Sequence, residues 1–438
     1  MFQTLKNAWK TQELRGKILF TILVLLLYRL GANIFVPFVD TALVKSAFNS
    51  NGGLFDYMNM LSGGAFSQGT LFALNVSPYI TASIVIQLLT IAIPALERLS
   101  KQGDEGRKKI NAITRYTTVA LALITALGYY FLLKGTDSAS YLTANGRTFF
   151  GAVVIVACFC AGSSLIMWLA EKINELGIGN GISMILFANI LSRVFALASN
   201  VWHMTFTRGG FAGFEWLGLV KSILSILITL AIVVLIVWFT ESERRIPIQY
   251  AKRQVGRKMF GGQSSNLPLK MNMAGVMPVI FSSSIVSIPA TIATFISDKE
   301  HWFYKLANDW FNYNTVAYLI VYIVLIFLFS YFYIMISFNP VEVANNIKNQ
   351  GGSVPGIRPG KPTSDYIKKI LGRITTLGAV FLAFIAGFPM LINIIFGNSF
   401  SGIAFGGTSL LIVVGVALET FRSLESQLAM RNYKGFLD

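Results

Sequence analysis

The chain has 438 residues, of which 54% are hydrophobic and 13% are charged, and its mean hydropathy is +0.62. Soluble domains carry about 25% charged residues, so these values exclude an ordinary soluble enzyme and a disordered chain. The net charge of +16 must lie in segments outside the bilayer that face something negative.

The N-terminal segment, residues 1–17, places Phe2, Leu5 and Trp9 on one helical face with Lys6 and Lys10 beside it. This pattern predicts a short cytosolic helix that lies on the inner leaflet, and a frayed tail is the alternative. The segment ends where the first long apolar stretch begins.

Ten apolar stretches follow along the chain. A helix needs about 20 mainly apolar residues to cross a bilayer. The stretches that approach this length are 18–36, 76–96, 117–133, 149–170, 182–198, 219–239, 271–296, 316–338, 374–396 and 409–428. The fifth is short, and the ninth is interrupted by Gly387 and Pro389. The sequence therefore predicts an all-α membrane protein with ten transmembrane helices.

The lysines and arginines alternate with these spans. With a cytosolic N-terminus, 27 of them fall on the cytosolic side and 7 on the other, while Arg29 and Lys221 lie near span ends. Cytosolic segments of membrane proteins are enriched in lysine and arginine. We therefore predict that both termini are cytoplasmic, with a short tail at 431–438.

A short repeat relates the second and seventh spans at an offset of 200 residues. Each of these spans is the second of five, so the repeat predicts two inverted five-helix halves, 18–200 and 217–430, with a functional path between the repeated helices. A proline near the start of each copy is expected to remove a backbone hydrogen bond. The repeated residues are Val76, Pro78, Ile80 and Ser83, which recur as Val276, Pro278, Ile280 and Ser283.

Weakly polar side chains occur on both repeated helices. Such groups hydrogen-bond between helices and separate at a cost of about 0.6–2 kcal/mol each, which suits a seam that opens. Ordinary packing by small residues is the alternative. These side chains are Thr81, Ser83, Gln87 and Thr90 on the second span, and Ser282, Ser283, Ser284 and Ser287 on the seventh.

Groups that could carry chemistry are scarce. An ion-coupled transporter places Asp, Glu or His near the midplane, and Glu419 is the main such residue here. His203 and His301 fall in separate loops. The sequence predicts no catalytic site, metal or cofactor, so a passive channel is favoured over a solute transporter and over a lipid-modifying enzyme.

Two kinds of segment between the spans are also informative. Residues 54–74 are too apolar for a free loop and too rich in Gly and Ser for a span, which predicts a short helix that dips into a cavity and blocks it; an outer surface helix is the alternative. The inner loops 241–270 and 339–373 are long and basic, and the first alternates apolar residues like a projecting strand or ribbon. Docking of an RNA-rich or acidic partner is favoured there over anionic lipid alone.

Five motifs in chain order resemble the SecY family, the channel subunit of the bacterial protein-secretion translocon. They are SPYITASIVIQLL at 77–89, EKINELGIGNGIS at 171–183, MNMAGVMPVIFSSS at 271–284, GGSVPGIRPGKPT at 351–363 and FGGTSLLIVVGVALE at 405–419. The resemblance extends over essentially the whole chain. It implies two inverted halves around a central hourglass pore in the bacterial plasma membrane, through which unfolded secretory polypeptides pass and from which transmembrane segments are released laterally into lipid.

The resemblance also assigns roles to residues. The pore ring would comprise Ile80, Ile84, Ile182, Leu186, Ile280 and Ile412, with Leu186 in place of the usual isoleucine. The plug would lie at about 54–67, with Leu54, Phe55, Met58, Leu61 and Phe66 as its apolar residues. The lateral gate would lie between the second and seventh spans, at the polar residues named above.

The implied partners are small SecE-like and SecG-like membrane subunits, the SecA motor, the ribosome, signal peptides and nascent secretory chains, besides anionic lipids. The channel itself would not be an enzyme, because ATP hydrolysis is expected on SecA. Motor and ribosome docking would use Arg244, Arg245, Lys252, Arg253, Arg257, Lys258, Arg358 and Lys361.

Overall fold

A computed structural model describes residues 2–44, 62–134, 141–192, 216–250, 253–255, 258–260, 264–293, 302–311, 315–396 and 407–434. The N-terminal segment forms α1 (Phe2–Lys10). Ala8 of α1 is buried in a small apolar cluster with Leu14, Ile178 and Leu424, while Trp9 is exposed. The first helix is therefore attached to the body of the protein near its C-terminal helix.

The first half contains α2 (Gln12–Gly31), α3 (Ser77–Ala92), α4 (Pro94–Ser100), α5 (Asp104–Lys134), a 3-10 turn (Ala144–Arg147), α6 (Phe149–Leu176) and α7 (Gly181–Ser192). The predicted second span is not one helix, because α3 and α4 meet at an angle of 105°. Pro94 starts α4 and has no N–H to continue the hydrogen bonding of α3.

The second half contains α8 (Trp216–Glu241), α9 (Met277–Ala293), α10 (Trp302–Trp310), α11 (Val316–Ser337), α12 (Pro340–Asn349), α13 (Lys361–Phe396) and α14 (Gly407–Lys434). Helix α13 runs through Gly387 and Pro389, so the interruption expected there does not occur. By length and composition, α5, α6, α11, α13 and α14 can each cross a membrane, and the bent pair α3–α4 is a sixth candidate in the described ranges. Helices α7, α8 and α9 are bounded by residues outside those ranges.

The two basic inner loops form one structure. Strand β1 (Glu243–Tyr250) pairs antiparallel with β4 (Ser264–Lys270) and with β5 (Gly352–Ser353), which belongs to the other loop. Strands β2 (Arg253–Val255) and β3 (Lys258–Phe260) pair antiparallel as a second, two-stranded sheet. The alternating apolar residues that predicted a strand lie on β1. Ile246 and Ile248 of β1 share an apolar cluster with Val354 and with Ile367 of α13. This shared core fixes the two loops to each other.

The repeat extends to the backbone. Asn75 and Gly275 both have a left-handed backbone, with φ of 52° and 62°, and each lies two residues before its helix. The carbonyls of Val76 and Val276 then accept the N–H of residues 80 and 280. Pro78 and Pro278 lie in the first turn, where the missing N–H has no helical acceptor to lose. The expectation that these prolines remove a backbone hydrogen bond is therefore wrong, because both lie in the first turn of a helix.

Candidate functional site

The six residues of the predicted pore ring come from four helices. Ile80 and Ile84 lie on α3, Ile182 and Leu186 on α7, Ile280 on α9 and Ile412 on α14. All six belong to or pack against one apolar cluster in the centre of the protein. The fold therefore places side chains that are up to 332 residues apart in the sequence next to one another.

A narrow cavity of ≈ 40 Å³ lies among these side chains. Ile80, Leu186, Ile280 and Ile412 line it, and the hydroxyl side chains of the α9 serines border it on one side. Asn75 and Ser77 also line it, so its walls combine aliphatic and polar side chains. A constriction lined mainly by aliphatic side chains resists wetting and hence the passage of small ions.

The polar side chains between α3 and α9 differ from the expectation. Thr81 donates to the Ser77 carbonyl and Ser282 to the Pro278 carbonyl, at 3.1 and 2.7 Å, and Ser283 and Ser284 both donate to Ile280. Each of these bonds stays within one helix, as is usual for Ser and Thr in a helix. The expectation that these donors form hydrogen bonds between the two helices is thus wrong.

The rest of the predicted seam behaves in the same way. Thr90 donates to Ile86, Ser287 donates to Ser284, and Gln87 donates to the Ser83 hydroxyl on its own helix. Separation of α3 from α9 would therefore break mainly apolar contacts at these positions.

Of the predicted plug residues, Leu54, Phe55, Met58 and Leu61 lie outside the described residues. Phe66 is buried, and its ring centroid lies 4.7 Å from that of Tyr129 on α5. The Tyr129 hydroxyl also donates to the Phe66 carbonyl. Phe66 belongs to a second apolar cluster and not to that of the pore ring, so its side chain anchors the segment to the first half.

Polar residues that the sequence analysis did not select hold the segment that leads from here to α3. The Arg29 guanidinium donates to the Gly63 carbonyl at 3.3 and 3.4 Å. The Asn75 side-chain oxygen accepts the Tyr28 hydroxyl at 3.4 Å and the Asn189 amide at 3.2 Å. The one signal in the sequence was that Asn75 stands where the repeat has Gly275.

The predicted docking residues that the structure describes belong to the two inner loops and the start of α13. Arg244, Arg245, Arg358 and Lys361 are exposed. Arg245 is engaged by Glu243, 2.6 Å away, whereas the backbone at Arg358 is held by a hydrogen bond from Thr363. Lys252 and Arg257 lie outside the described residues, and Arg253 and Lys258 lie on β2 and β3.

A larger cavity of ≈ 380 Å³ lies inside the second half. Lys270, Asn272, Glu419 and Arg422 contribute its polar lining. Arg422 forms an ion pair with Glu241 at 2.7 Å. Burial and the nearby Arg422 lower the pKa of Lys270. Within the described ranges there is no group of three or more His, Cys, Asp or Glu that could hold a metal ion.

Comparison with known proteins gives consistent matches over the chain. A family model described as SecY matches residues 70–421. The chain is 42% identical to the protein translocase subunit SecY of Streptomyces galbus and 40% identical to that of Bacillus subtilis strain 168, and both alignments cover 100% of each chain.

Solved structures show the same fold at lower identity. A protein-conducting channel matches with a TM-score of 0.63 and 18% identity over 94% of this chain and 92% of its own. Sec61 from the canine ribosome–channel complex of the endoplasmic reticulum matches with a TM-score of 0.60, also at 18% identity over 94% and 92%. The predicted ten-helix membrane fold is thereby confirmed. The family model and the full-length relatives show that the chain belongs to the SecY family, the channel subunits of protein translocases.

Proposed function

We propose that unfolded secretory polypeptides cross the bacterial plasma membrane through the constriction at Ile80, Leu186, Ile280 and Ile412. The observation that carries this proposal is the ring of aliphatic side chains from four helices around a space of ≈ 40 Å³. Aliphatic side chains form no fixed hydrogen bonds, so they deform around any passing sequence and close again behind it. The same ring excludes ions at rest by staying dry.

Transmembrane segments would leave this pore sideways, between α3 and α9. These two helices pack against each other, and the hydroxyls of Thr81, Ser282, Ser283 and Ser284 donate within their own helices. An apolar signal helix can therefore replace the α3–α9 contacts without leaving these donors unpaired. Its higher affinity for the separated helices would shift the equilibrium toward the open state.

The driving force would come from partners on the cytosolic face. Arg244, Arg358 and Lys361 are exposed cations of the two loops. Because the loops share one sheet and one apolar cluster, a force applied by a partner to either loop would reach both. The expected partners are the SecA motor, which would hydrolyse ATP, and the ribosome. We expect SecE-like and SecG-like subunits and anionic lipids as further partners, and both termini on the cytoplasmic side.

Photocrosslinking tests the path directly. A photoreactive residue at position 80 or 280 should capture a secretory chain that is stalled during transport. The same group at Ile320, which is exposed on the outer surface of α11, should not capture it. Equal capture at Ile320, or labelling of small solutes alone at positions 80 and 280, would contradict the proposal.

A further inference from the structure

The segment 62–75 connects the predicted plug to α3, and polar side chains from several helices hold it. Arg29 of α2 donates to the Gly63 carbonyl, and Tyr129 of α5 donates to the Phe66 carbonyl. At the far end, Asn189 of α7 and Tyr28 of α2 both donate to Asn75. Phe72 is buried and stacks on Tyr28, with ring centroids 5.4 Å apart. Side chains of α2, α5 and α7 thus hold the segment at both of its ends.

Asn75 is the unusual member of this set. Its φ of 52° lies in the left-handed region, which glycine adopts freely and which asparagine tolerates better than other residues with a Cβ. At the equivalent position of the second half the residue is Gly275, at φ 62°. An asparagine at position 75 therefore adds backbone cost, and the two hydrogen bonds to its buried side chain offset that cost.

The surroundings of Asn75 and Gly275 also differ. Gly275 has no atom within 4 Å of the place where a Cβ would lie, and it borders the cavity of ≈ 380 Å³. Asn75 is buried between Tyr28 and Asn189, which are themselves fully buried. The side chain at position 75 is therefore held by two donors, whereas position 275 has no side chain to hold.

We propose that Asn75 and Asn189 form a latch that sets how readily the channel opens; this rests on the function proposed above. Asn189 lies one turn beyond Leu186 of the pore ring on α7, and Asn75 lies two residues before α3, which carries Ile80 and Ile84. Their 3.2 Å hydrogen bond joins the two ring-bearing helices of the first half. Movement of α3 away from α7 breaks it. Asn189 is a positioning residue, since it acts on the ring through the helix that bears it, whereas Asn75 also lines the cavity of ≈ 40 Å³.

The latch makes the stringency for signal sequences depend on these two residues. A weak signal helix binds the open state only slightly more tightly than the closed state. It therefore cannot open the channel while the latch adds to the free energy of opening. Removal of the bond should let weaker signals open the channel and should raise the resting ion leak.

The test uses the full translocase complex in liposomes without substrate, with resting ion leak as the first measurement. Asn75→Gly keeps the left-handed backbone and removes the acceptor, while Asn189→Ala removes the donor. Each is expected to raise the leak roughly tenfold, the change in an equilibrium that one buried hydrogen bond supports. The double variant should leak no more than Asn75→Gly alone, because that change already removes the bond from Asn189 together with the bond from Tyr28. In cells, both variants should export a protein with a defective signal sequence.

The repeat supplies a matched control. Gly275→Asn places asparagine at the equivalent left-handed position, where no atom lies within 4 Å of the added Cβ, and should leave leak and export unchanged. If Asn189→Ala fails to assemble, Tyr28→Phe removes the other donor to Asn75 while keeping its ring and should raise the leak by a smaller factor. Unchanged leak in the assembled Asn75 and Asn189 variants, or additive effects in the double variant, would overturn the latch. The crosslinking of stalled chains at positions 80 and 280 would be unaffected by that outcome, so failure of the latch and failure of the proposed function are distinguishable.

Discussion

Arg115 of α5 and Glu171 of α6 form a two-pronged ion pair, with Nε and Nη2 each 2.8 Å from a different carboxylate oxygen. Glu171 is largely buried, whereas Arg115 is half exposed. The pair therefore joins two helices that pack along much of their length.

Loss of this pair should destabilise the first half modestly. Arg115→Met is expected to lower the free energy of unfolding by about 1 kcal/mol, the upper range for partly exposed pairs, because the two-pronged geometry is good. The apparent Tm in detergent measures it. The control is Lys172→Met, which removes a more exposed ion pair with Glu175 and should change the Tm little. Recovery of the Tm in the exchanged variant Arg115→Glu/Glu171→Arg would assign the effect to the pair.

Polar or charged residues in the constriction should loosen the resting state. Ile280→Lys or Ile412→Asp places a charge in the cavity of ≈ 40 Å³, where it attracts water and removes the dry barrier. We expect a higher resting ion leak and export of proteins with defective signals. Ile280→Leu should behave as the parent chain, since leucine already serves at position 186 and the volume is conserved. Normal leak and normal signal selectivity in both charged variants would rule out this role of the ring.

Close packing of α6 against the segment 62–75 depends on Gly162. A Cβ at this position would collide with the Leu71 backbone carbonyl, which cannot rotate away as a flexible side chain can. Gly162→Ala should therefore lower the free energy of unfolding by about 1–3 kcal/mol and displace the segment. Gly16→Ala is the matched helical control, because no atom lies within 4 Å of its Cβ position, and it should be neutral or slightly stabilising. Equal Tm values for the two variants would contradict the predicted collision.

The exposed Arg358 should matter for transport and not for folding. Its backbone is fixed by the hydrogen bond from Thr363 at 2.9 Å, so the guanidinium is presented from an ordered turn. Arg358→Glu is expected to reduce motor-driven transport about tenfold or more at an unchanged Tm, because a reversed charge repels an acidic partner surface. Lys368→Glu makes the same charge change at an exposed position of α13. A similar loss in Lys368→Glu would assign the effect to net charge alone.

Apolar periodicity predicted the helices well because lipid imposes length and composition on each span separately. The break between α3 and α4 was missed, because 76–96 was assigned from its apolar length and Pro94 within it was not used as a helix end. Back-bonding by Ser282 and Thr81 was also missed, because composition does not show whether a hydroxyl finds its partner within or between helices.

Long-range pairs were the least accessible to sequence analysis. The contact of Asn75 with Asn189 joins residues 114 positions apart, and no local pattern marks Asn189 as a partner. The pairing of Gln249 with Ser353 likewise joins two loops that appeared independent. The pore ring was assigned through the family resemblance, and hydrophobicity alone did not distinguish Ile280 from the many other aliphatic residues of its span.

Lys270 should make stability depend on pH in the alkaline range. It lies at the end of β4, where burial and Arg422 lower its pKa against the opposing effect of Glu241 and Glu243. The folded state therefore binds this proton less readily than the unfolded chain does, so the free energy of unfolding rises with pH between the lowered pKa and the ordinary value of about 10.4. Lys270→Met should raise the Tm at neutral pH, because the cost of the charge disappears, and should flatten the rise of Tm with pH. Lys361→Met removes an exposed cation on the same side of the protein. An equal flattening in that variant would place the effect in the net charge and not in Lys270.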